Sequence, residues 1–182
     1  VENILIKSGN IGSVRIVRKI GVEKHKSFLE TIGILDKISF DIDEVGKPLK
    51  IDWNEGCKIE TIAFGHGITT TILQLAKGYA IISNGGYEIT PTLIKDNSNK
   101  KIKRLKVLSN DVSKKMNIMM RKVVSEGTAK LVNVEGYQVG GKTGTAEQVS
   151  NSIYSKTKIN TLASIFPTDS PKFVLVVMLE ST

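Results

Sequence analysis

A glycine-rich segment in the last third of the chain carries the side chains best suited to chemistry. It reads Gly-Gly-Lys-Thr-Gly-Thr over residues 140–145. If the segment is an extended strand, Thr143 and Thr145 point to the same face, because side chains alternate along a strand. Their hydroxyls would then bind a carboxylate, with Lys142 supplying positive charge nearby. Glycine lets a ligand approach the backbone, and the Thr145 N–H would suit an oxyanion.

The same residues also satisfy the phosphate-loop pattern G-x-x-x-x-G-K-[ST], counted from Gly136. A phosphate loop follows a buried strand and opens a helix. Here only the short apolar run 131–134 precedes the segment, and scattered polar residues follow Thr145. The context therefore favours a substrate-binding strand, with a phosphate-loop NTPase as an alternative that magnesium-dependent ATP binding would reveal.

A second candidate, Ser8-Gly9-Asn10, lies directly before a predicted helix. Taken alone it is interpreted as a helix N-cap, because Ser and Asn are favoured there. A Ser-x-Asn triplet is common by chance. Its significance comes from its pairing with the Lys-Thr-Gly segment that begins at Lys142.

Hydrophobic spacing predicts the elements that must position these residues. Apolar residues at 11, 14, 16, 17 and 20 predict a helix that Gly21 ends. Further helices are predicted at 27–32, 70–83 and 111–125, the last capped by Ser109 or Asn110. Strands are predicted at 90–94, 137–147, 161–166 and 173–179. Residues 34–60 are predicted to be irregular, and 96–101 to form a polar loop. The apolar run 173–179 is typical of a strand covered on both faces. Short links favour antiparallel pairing, and helices followed by a strand meander indicate the α+β class.

The overall composition narrows the function classes. The 182 residues fit one globular domain. The net charge of +8 raises the expectation of an anionic partner. However, the basic run 100–106 lacks the interleaved aromatic residues on which nucleic-acid bases stack. Nucleic-acid binding is an alternative that steeply salt-dependent DNA binding would support. Cys57 is alone, and His25 and His66 lack companions at ligand spacing, so neither a disulfide nor a metal site is predicted.

The order of the two motifs resembles that of penicillin-binding proteins and serine β-lactamases, in which Ser-x-x-Lys, Ser-x-Asn and Lys-Thr-Gly follow one another. Other matched segments are Phe64-Gly65-His66-Gly67-Ile68, Leu73-Gln74-Leu75-Ala76, Tyr79-Ala80, Asn84-Gly85-Gly86, Pro91 and Thr145-Ala146-Glu147. They cover nearly the whole chain and most resemble the division-specific class B enzymes. One departure is Ile72, where the family usually has proline.

This resemblance implies an incomplete α+β transpeptidase fold of the serine β-lactamase-like type. Residues 1–182 are expected to be the C-terminal portion of the domain, with an antiparallel sheet packed against helices and no cofactor. The roles implied are a relay hydroxyl for Ser8, a substrate-amide donor for Asn10, electrostatic support for Lys142, carboxylate binding for Thr143 and Thr145, and room for strand pairing at Gly144.

The nucleophilic Ser-x-x-Lys of the family has no acceptable match in these residues. The two formal matches, 98–101 and 155–158, follow Ser8 instead of preceding it and lie in polar, loop-like segments. The resemblance therefore predicts that the nucleophile segment and a final helix lie outside this chain. We expect the chain on its own to be inactive.

The family attaches its serine to the penultimate D-Ala carbonyl of a peptidoglycan stem peptide, and a second peptide amine then completes a cross-link. The resemblance implies stem peptides, β-lactams and cell-division proteins as partners, and the periplasmic face of the bacterial inner membrane as location. A non-catalytic β-lactam-sensing module is an alternative that the parent sequence would settle. Missing neighbouring strands would leave the 173–179 strand with an open edge, which predicts self-association.

Overall fold

The computed structural model describes residues 1–53, 56–95, 104–150 and 153–181. Helices come first: α1 (Glu2–Ile6), α2 (Asn10–Ile20), α3 (Val22–Thr31), α4 (Gly56–Ile62), α5 (Ile72–Ser83) and α6 (Asn110–Ser125), followed by a 3₁₀ turn (Lys130–Val132). The strands β1 (Gly140–Ser150), β2 (Ile153–Phe166) and β3 (Phe173–Ser181) form an antiparallel sheet in the order β1-β2-β3. The predicted α+β class and antiparallel pairing are confirmed.

The two longest predicted helices begin at side-chain caps. At the start of α5, the Thr71 hydroxyl accepts from the Gln74 N–H at 3.1 Å, and the Gln74 side chain accepts from the Thr71 N–H at 3.0 Å. This reciprocal capping box satisfies backbone donors that have no partner within the helix. At the start of α6, the Ser109 hydroxyl accepts from the Val112 N–H at 3.2 Å. The predicted helices at 70–83 and 111–125 are confirmed, with Ser109 as the cap.

Three predictions for the first hundred residues were wrong in extent or type. The helix predicted at 27–32 begins five residues earlier, at Val22, and α4 occupies the end of the segment predicted to be irregular. Residues 90–94 form no strand. Instead, the Asp41 carboxylate accepts from the Thr92 hydroxyl at 2.7 Å and from the Leu93 N–H, which holds this segment in a turn. The polar loop predicted at 96–101 lies outside the described residues.

The sheet is longer than predicted and in one continuous register through the motif. Gly140 pairs with Ile165 and Thr145 with Asn160, and the first irregularity comes only after Glu147. β1 begins three residues after the predicted start at 137, whereas β2 begins eight residues before the predicted start at 161. The long β1–β2 ladder holds the Lys-Thr-Gly segment extended.

A hydrophobic cluster fixes the start of the chain against the sheet. Ile6 of α1 packs with Val123 and Val124 of α6 and with Ala129, and Leu162 of β2 packs against them. Fully burying a side chain of this size contributes about 1.5 to 3 kcal/mol. The cluster therefore holds the turn after α1 near β1, although the two are far apart in the sequence.

One face of β3 is open. Phe173, Leu175, Val177 and Leu179 are alternate residues, so they share a face, and they are between 38% and 65% exposed. Among the described strands, β3 pairs with β2 along one edge and with no strand along the other. The expected uncovered apolar surface is therefore present, and the run 173–179 is not covered on both faces as its apolar sequence alone would suggest.

Candidate active site

Ser8 lies in the turn between α1 and α2. Its own N–H donates to Leu5 O at 3.3 Å, and the Gly9 N–H donates to Ile4 O at 2.9 Å. The backbone of Ser8 has a φ of +54°, a left-handed conformation that is unfavourable for a residue with a Cβ atom. Gly9 occupies the N-cap position of α2, and no side chain caps that helix start. The interpretation of Ser8 as a plain N-cap was therefore wrong.

The Ser8 hydroxyl instead contacts the Lys-Thr-Gly strand. Lys142 Nζ donates to Ser8 Oγ at 2.8 Å and to Thr143 O at 2.7 Å, joining residues 134 positions apart. Lys142 is about half-buried, and that burial lowers the pKa of its ammonium group, because desolvation disfavours the charged form. The structure thus brings together a hydroxyl and an amine whose proton is held less tightly than in water.

The two threonines of the strand have different hydrogen-bond partners. Thr143 Oγ1 lies 2.8 Å from Thr128 Oγ1, whereas the Thr145 hydroxyl donates to Asn160 Oδ1 of β2 at 3.1 Å. Their positions in the unbroken ladder put both on the same face, as predicted. Thr145 is exposed, so its hydroxyl can exchange Asn160 for a ligand.

The glycines of the segment divide into two kinds. A Cβ atom on Gly141 would come within 2.6 Å of Ala163 O, and one on Gly140 within 2.5 Å of Thr168 Cγ2, so packing excludes side chains there. A Cβ atom on Gly144 would meet nothing closer than Thr161 Cβ at 4.0 Å. Gly144 is exposed, so packing gives no reason for glycine at this position, and the strand backbone there is accessible.

Asn10 lies in the first turn of α2, two residues beyond Ser8, and is exposed. The structure therefore places Ser8 and Lys142 in direct contact, with Thr143 adjoining them and Asn10 on the helix that starts beside them. Sequence reasoning missed Thr128 and Asn160, which bond to the two threonine hydroxyls. Neither belongs to a motif, and no spacing signal would have found them.

The phosphate-loop alternative is contradicted by the structure. Lys142 lies within β1, hydrogen-bonded to β2, and not in a loop that opens a helix. A shallow depression of about 500 Å³ elsewhere is lined by Arg121 and residues 133–138, and includes none of the predicted site residues. The candidate site is therefore identified by its chemical groups and not by this depression.

Comparison with known proteins identifies the family. The family model described as "Penicillin binding protein transpeptidase domain" matches residues 1–182. Stage V sporulation protein D of Bacillus subtilis is 30% identical over 191 residues, covering 98% of this chain and 30% of that protein. The probable peptidoglycan D,D-transpeptidase PenA of Neisseria meningitidis serogroup A is 27% identical over 183 residues, covering 99% of this chain and 31% of that protein.

A solved structure agrees over the same length. Penicillin-binding protein 3 of Mycobacterium tuberculosis, complexed with ampicillin, superposes with a TM-score of 0.90 at 25% identity, covering 99% of this chain and 44% of that one. The chain belongs to the penicillin-binding protein transpeptidase family, and the predicted resemblance to the C-terminal part of a class B transpeptidase domain is confirmed. It spans about 30% of the length of the curated relatives it matches.

Proposed function

We propose that this chain supplies the Ser-x-Asn and Lys-Thr-Gly parts of a peptidoglycan D,D-transpeptidase that also binds β-lactams. The observation that carries the proposal is the 2.8 Å contact between Lys142 Nζ and Ser8 Oγ. Two motifs separated by most of the chain meet as an acyl-transfer site of this kind requires. Membership of the transpeptidase family, the name of the PenA relative and the ampicillin complex of the structural neighbour support the same activity.

Ser8 and Lys142 act as a proton relay in this proposal. When the substrate amide bond breaks, the leaving amine of the terminal D-Ala needs a proton. The Ser8 hydroxyl donates that proton and takes one from the Lys142 ammonium, whose lowered pKa favours the transfer. Asn10 donates a hydrogen bond to the substrate amide from the first turn of α2.

Thr143 and Thr145 bind the terminal carboxylate of the D-Ala-D-Ala stem peptide, or the carboxylate of a β-lactam. Both hydroxyls lie on one face of β1, and Lys142 adds positive charge beside them. Gly144 leaves the strand backbone accessible, so the substrate pairs with β1 in the antiparallel sense. The exposure of Gly144 and Thr145 supports this role, because a ligand can reach them without displacing another element.

The nucleophile comes from a Ser-x-x-Lys segment outside these residues. Of the two formal matches, 98–101 lies outside the described residues, and 155–158 lies on β2 and not on a helix. Both follow Ser8 instead of preceding it. Neither therefore supplies the nucleophile in this proposal, and the isolated chain does not form an acyl-enzyme.

Labelling with a fluorescent penicillin tests this function. The 182-residue chain should remain unlabelled, while the longer protein that carries it should label at one serine, identified by mass spectrometry. In the longer protein, Lys142→Ala should slow labelling by about 10² or more, the order of a lost proton-transfer group. Lys130→Ala, a change of another lysine, exposed in the 3₁₀ turn, is the matched control. Stoichiometric labelling of the isolated chain would refute the proposed placement of the nucleophile.

The cellular setting follows from the substrate. Among the described residues, no helix is both long and apolar enough to cross a membrane. We propose that the full protein works at the periplasmic face of the bacterial inner membrane with cell-division proteins, because its substrate is found there. Fluorescent fusions of the full protein should concentrate at division sites, and a uniform cytoplasmic distribution would contradict this location.

The open face and edge of β3 give the isolated chain a means of self-association. Exposed edge strands pair with other chains, and the row of Phe173, Leu175, Val177 and Leu179 adds apolar surface to that edge. Sedimentation should show dimers or larger species that weaken in Leu175→Lys. A monomer at about 100 μM, within the micromolar-to-millimolar range in which exposed edges associate, would contradict the proposal.

A further inference from the structure

The loop after α6 brings an unassigned hydroxyl against the strand face that binds carboxylate in the proposed function. Thr128 Oγ1 lies 2.8 Å from Thr143 Oγ1. Thr128 belongs to neither motif, and none of the roles described above uses it. We infer that Thr128 is a positioning residue for substrate recognition: it donates to Thr143 Oγ1 and thereby directs the Thr143 proton at the substrate carboxylate. This inference rests on the proposed function and adds a specificity-determining residue to the same site.

The position of Thr128 is fixed by its neighbours on both sides. The N–H groups of Gly127 and Ala129 both donate to Val123 O at 3.1 Å. Ala129 is buried in the cluster that joins α1, α6 and β2. A Cβ atom on Gly127 would come within 2.6 Å of Ile6 O, so the backbone passes directly against α1. Thr128 therefore stands between two anchored residues, although its own side chain is exposed.

The protons of the hydroxyl pair explain why the contact matters. Two hydroxyls carry two protons, and the hydrogen bond between them uses one. A carboxylate only accepts, so it must receive the other. When Thr128 is the donor, the remaining proton is on Thr143, and a hydroxyl that accepts a hydrogen bond is a stronger donor itself. In Thr145, by contrast, the proton is directed at Asn160 Oδ1. Of the two threonines, Thr143 is thus the one whose hydroxyl proton is available to donate to the carboxylate.

The test compares two acyl donors in the longer protein that carries both this chain and a Ser-x-x-Lys segment. One donor is a D-alanyl thioester whose leaving group ends in a carboxylate, and the other is the same thioester ending in a carboxamide. The serine oxygen forms a bond to the acyl carbon, the carbon–sulfur bond breaks, and the released thiol is measured to give kcat/KM. The quantity of interest is the ratio of kcat/KM for the two donors.

We expect Thr128→Val, which replaces the hydroxyl by a methyl group of similar size, to reduce that ratio about tenfold, the order of one hydrogen bond to a charged group. Thr128→Ser should retain the wild-type ratio. An unchanged ratio in Thr128→Val, or an equal loss with both donors, would overturn the inference while leaving the proposed function intact. A wild-type protein that shows no preference for the carboxylate donor would overturn both.

Discussion

Gln74 is the buried polar group whose replacement has the most informative expected effect. Its side chain is fully buried, and its amide nitrogen donates to Gly33 O at 3.0 Å, Ile34 O at 3.1 Å and Asp36 O at 2.7 Å. Its oxygen accepts from the Thr71 N–H and hydroxyl. One side chain thus closes the capping box of α5 and ties that helix to the segment after α3.

Gln74→Met keeps the approximate volume and removes every one of these bonds. The two amide protons account for about 2 kcal/mol, at about 1 kcal/mol for each net hydrogen bond. The lost bond from the Thr71 N–H to the side-chain oxygen adds about 1 kcal/mol by the same measure, while the bond from the backbone N–H of residue 74 to the Thr71 hydroxyl is retained. We therefore expect a loss of about 3 kcal/mol in the free energy of unfolding. Most single substitutions change stability by less than this.

Gln74→Glu adds a pH dependence to the expected loss in the free energy of unfolding. A carboxylate there faces three carbonyl oxygens and donates nothing, so burial and these dipoles raise the pKa of the introduced group. A raised folded-state pKa means that the variant is more stable below the unfolded pKa and loses stability as pH rises through the folded pKa. Its deficit relative to wild type should therefore be larger at pH 7 than at pH 4, and at pH 7 should exceed that of Gln74→Met.

Urea unfolding followed by circular dichroism, at equal protein concentrations, measures both variants. Gln138→Met is the matched control: it makes the same chemical change at an exposed residue whose side chain accepts only a long 3.4 Å bond from Thr168. It should alter stability by less than about 0.5 kcal/mol. The prediction is refuted if Gln74→Met and Gln138→Met unfold alike, or if the deficit of Gln74→Glu relative to wild type is no larger at pH 7 than at pH 4.

Two further substitutions test other contacts. Gly127→Ala should lower the free energy of unfolding by about 2 to 3 kcal/mol, because its Cβ atom would press on the backbone of Ile6 and Val123. Gly144→Ala is the control and should unfold like wild type, because there is open space around Gly144. An equal loss in both variants would contradict the packing argument. Hydrogen bonds from Thr92 and the Leu93 N–H lower the pKa of Asp41, so its contribution is present above the unfolded pKa and disappears as pH falls through the folded one. The melting-temperature difference between wild type and Asp41→Asn should therefore close in acid; a gap that stays constant down to about pH 2.5, below the usual carboxyl range, would count against this linkage.

The helices that sequence reasoning predicted well have apolar residues at helical spacing and at least one buried residue each. α2, α5 and α6 each combine apolar residues at helical spacing with a glycine or a capping residue at one end. α3 contains no buried residue, so its first turns carry no periodic signal and only its second half was predicted. The 90–94 segment has strand-like composition, but its hydrogen bonds to Asp41 decide its conformation, and a partner 51 residues away in the sequence is not visible in a local pattern.

In the candidate site too, partners that lie far apart in the sequence could not be predicted from local patterns. The types and order of the motifs predicted that Ser8 and Lys142 lie close together, because the same motifs in the same order share one site in a known family. The two side chains are in contact. Thr128 and Asn160 were not predictable. The partner of Thr145 depends on the register of β1 on β2, and a slip of one residue would turn a different side chain to that face. The partner of Thr143 depends on the path of a loop that carries no motif.

The contact between Ser8 and Lys142 also has a consequence for biosynthesis. Ser8 leaves the ribosome 134 residues ahead of its partner, which corresponds to about 7 to 27 s at about 5 to 20 residues per second. During that interval α1 and α2 emerge without the strand that completes them. Because contacts of such long range form late and slowly, the hydrogen bond between Ser8 and Lys142 forms only after β1 has been synthesised and has paired with β2.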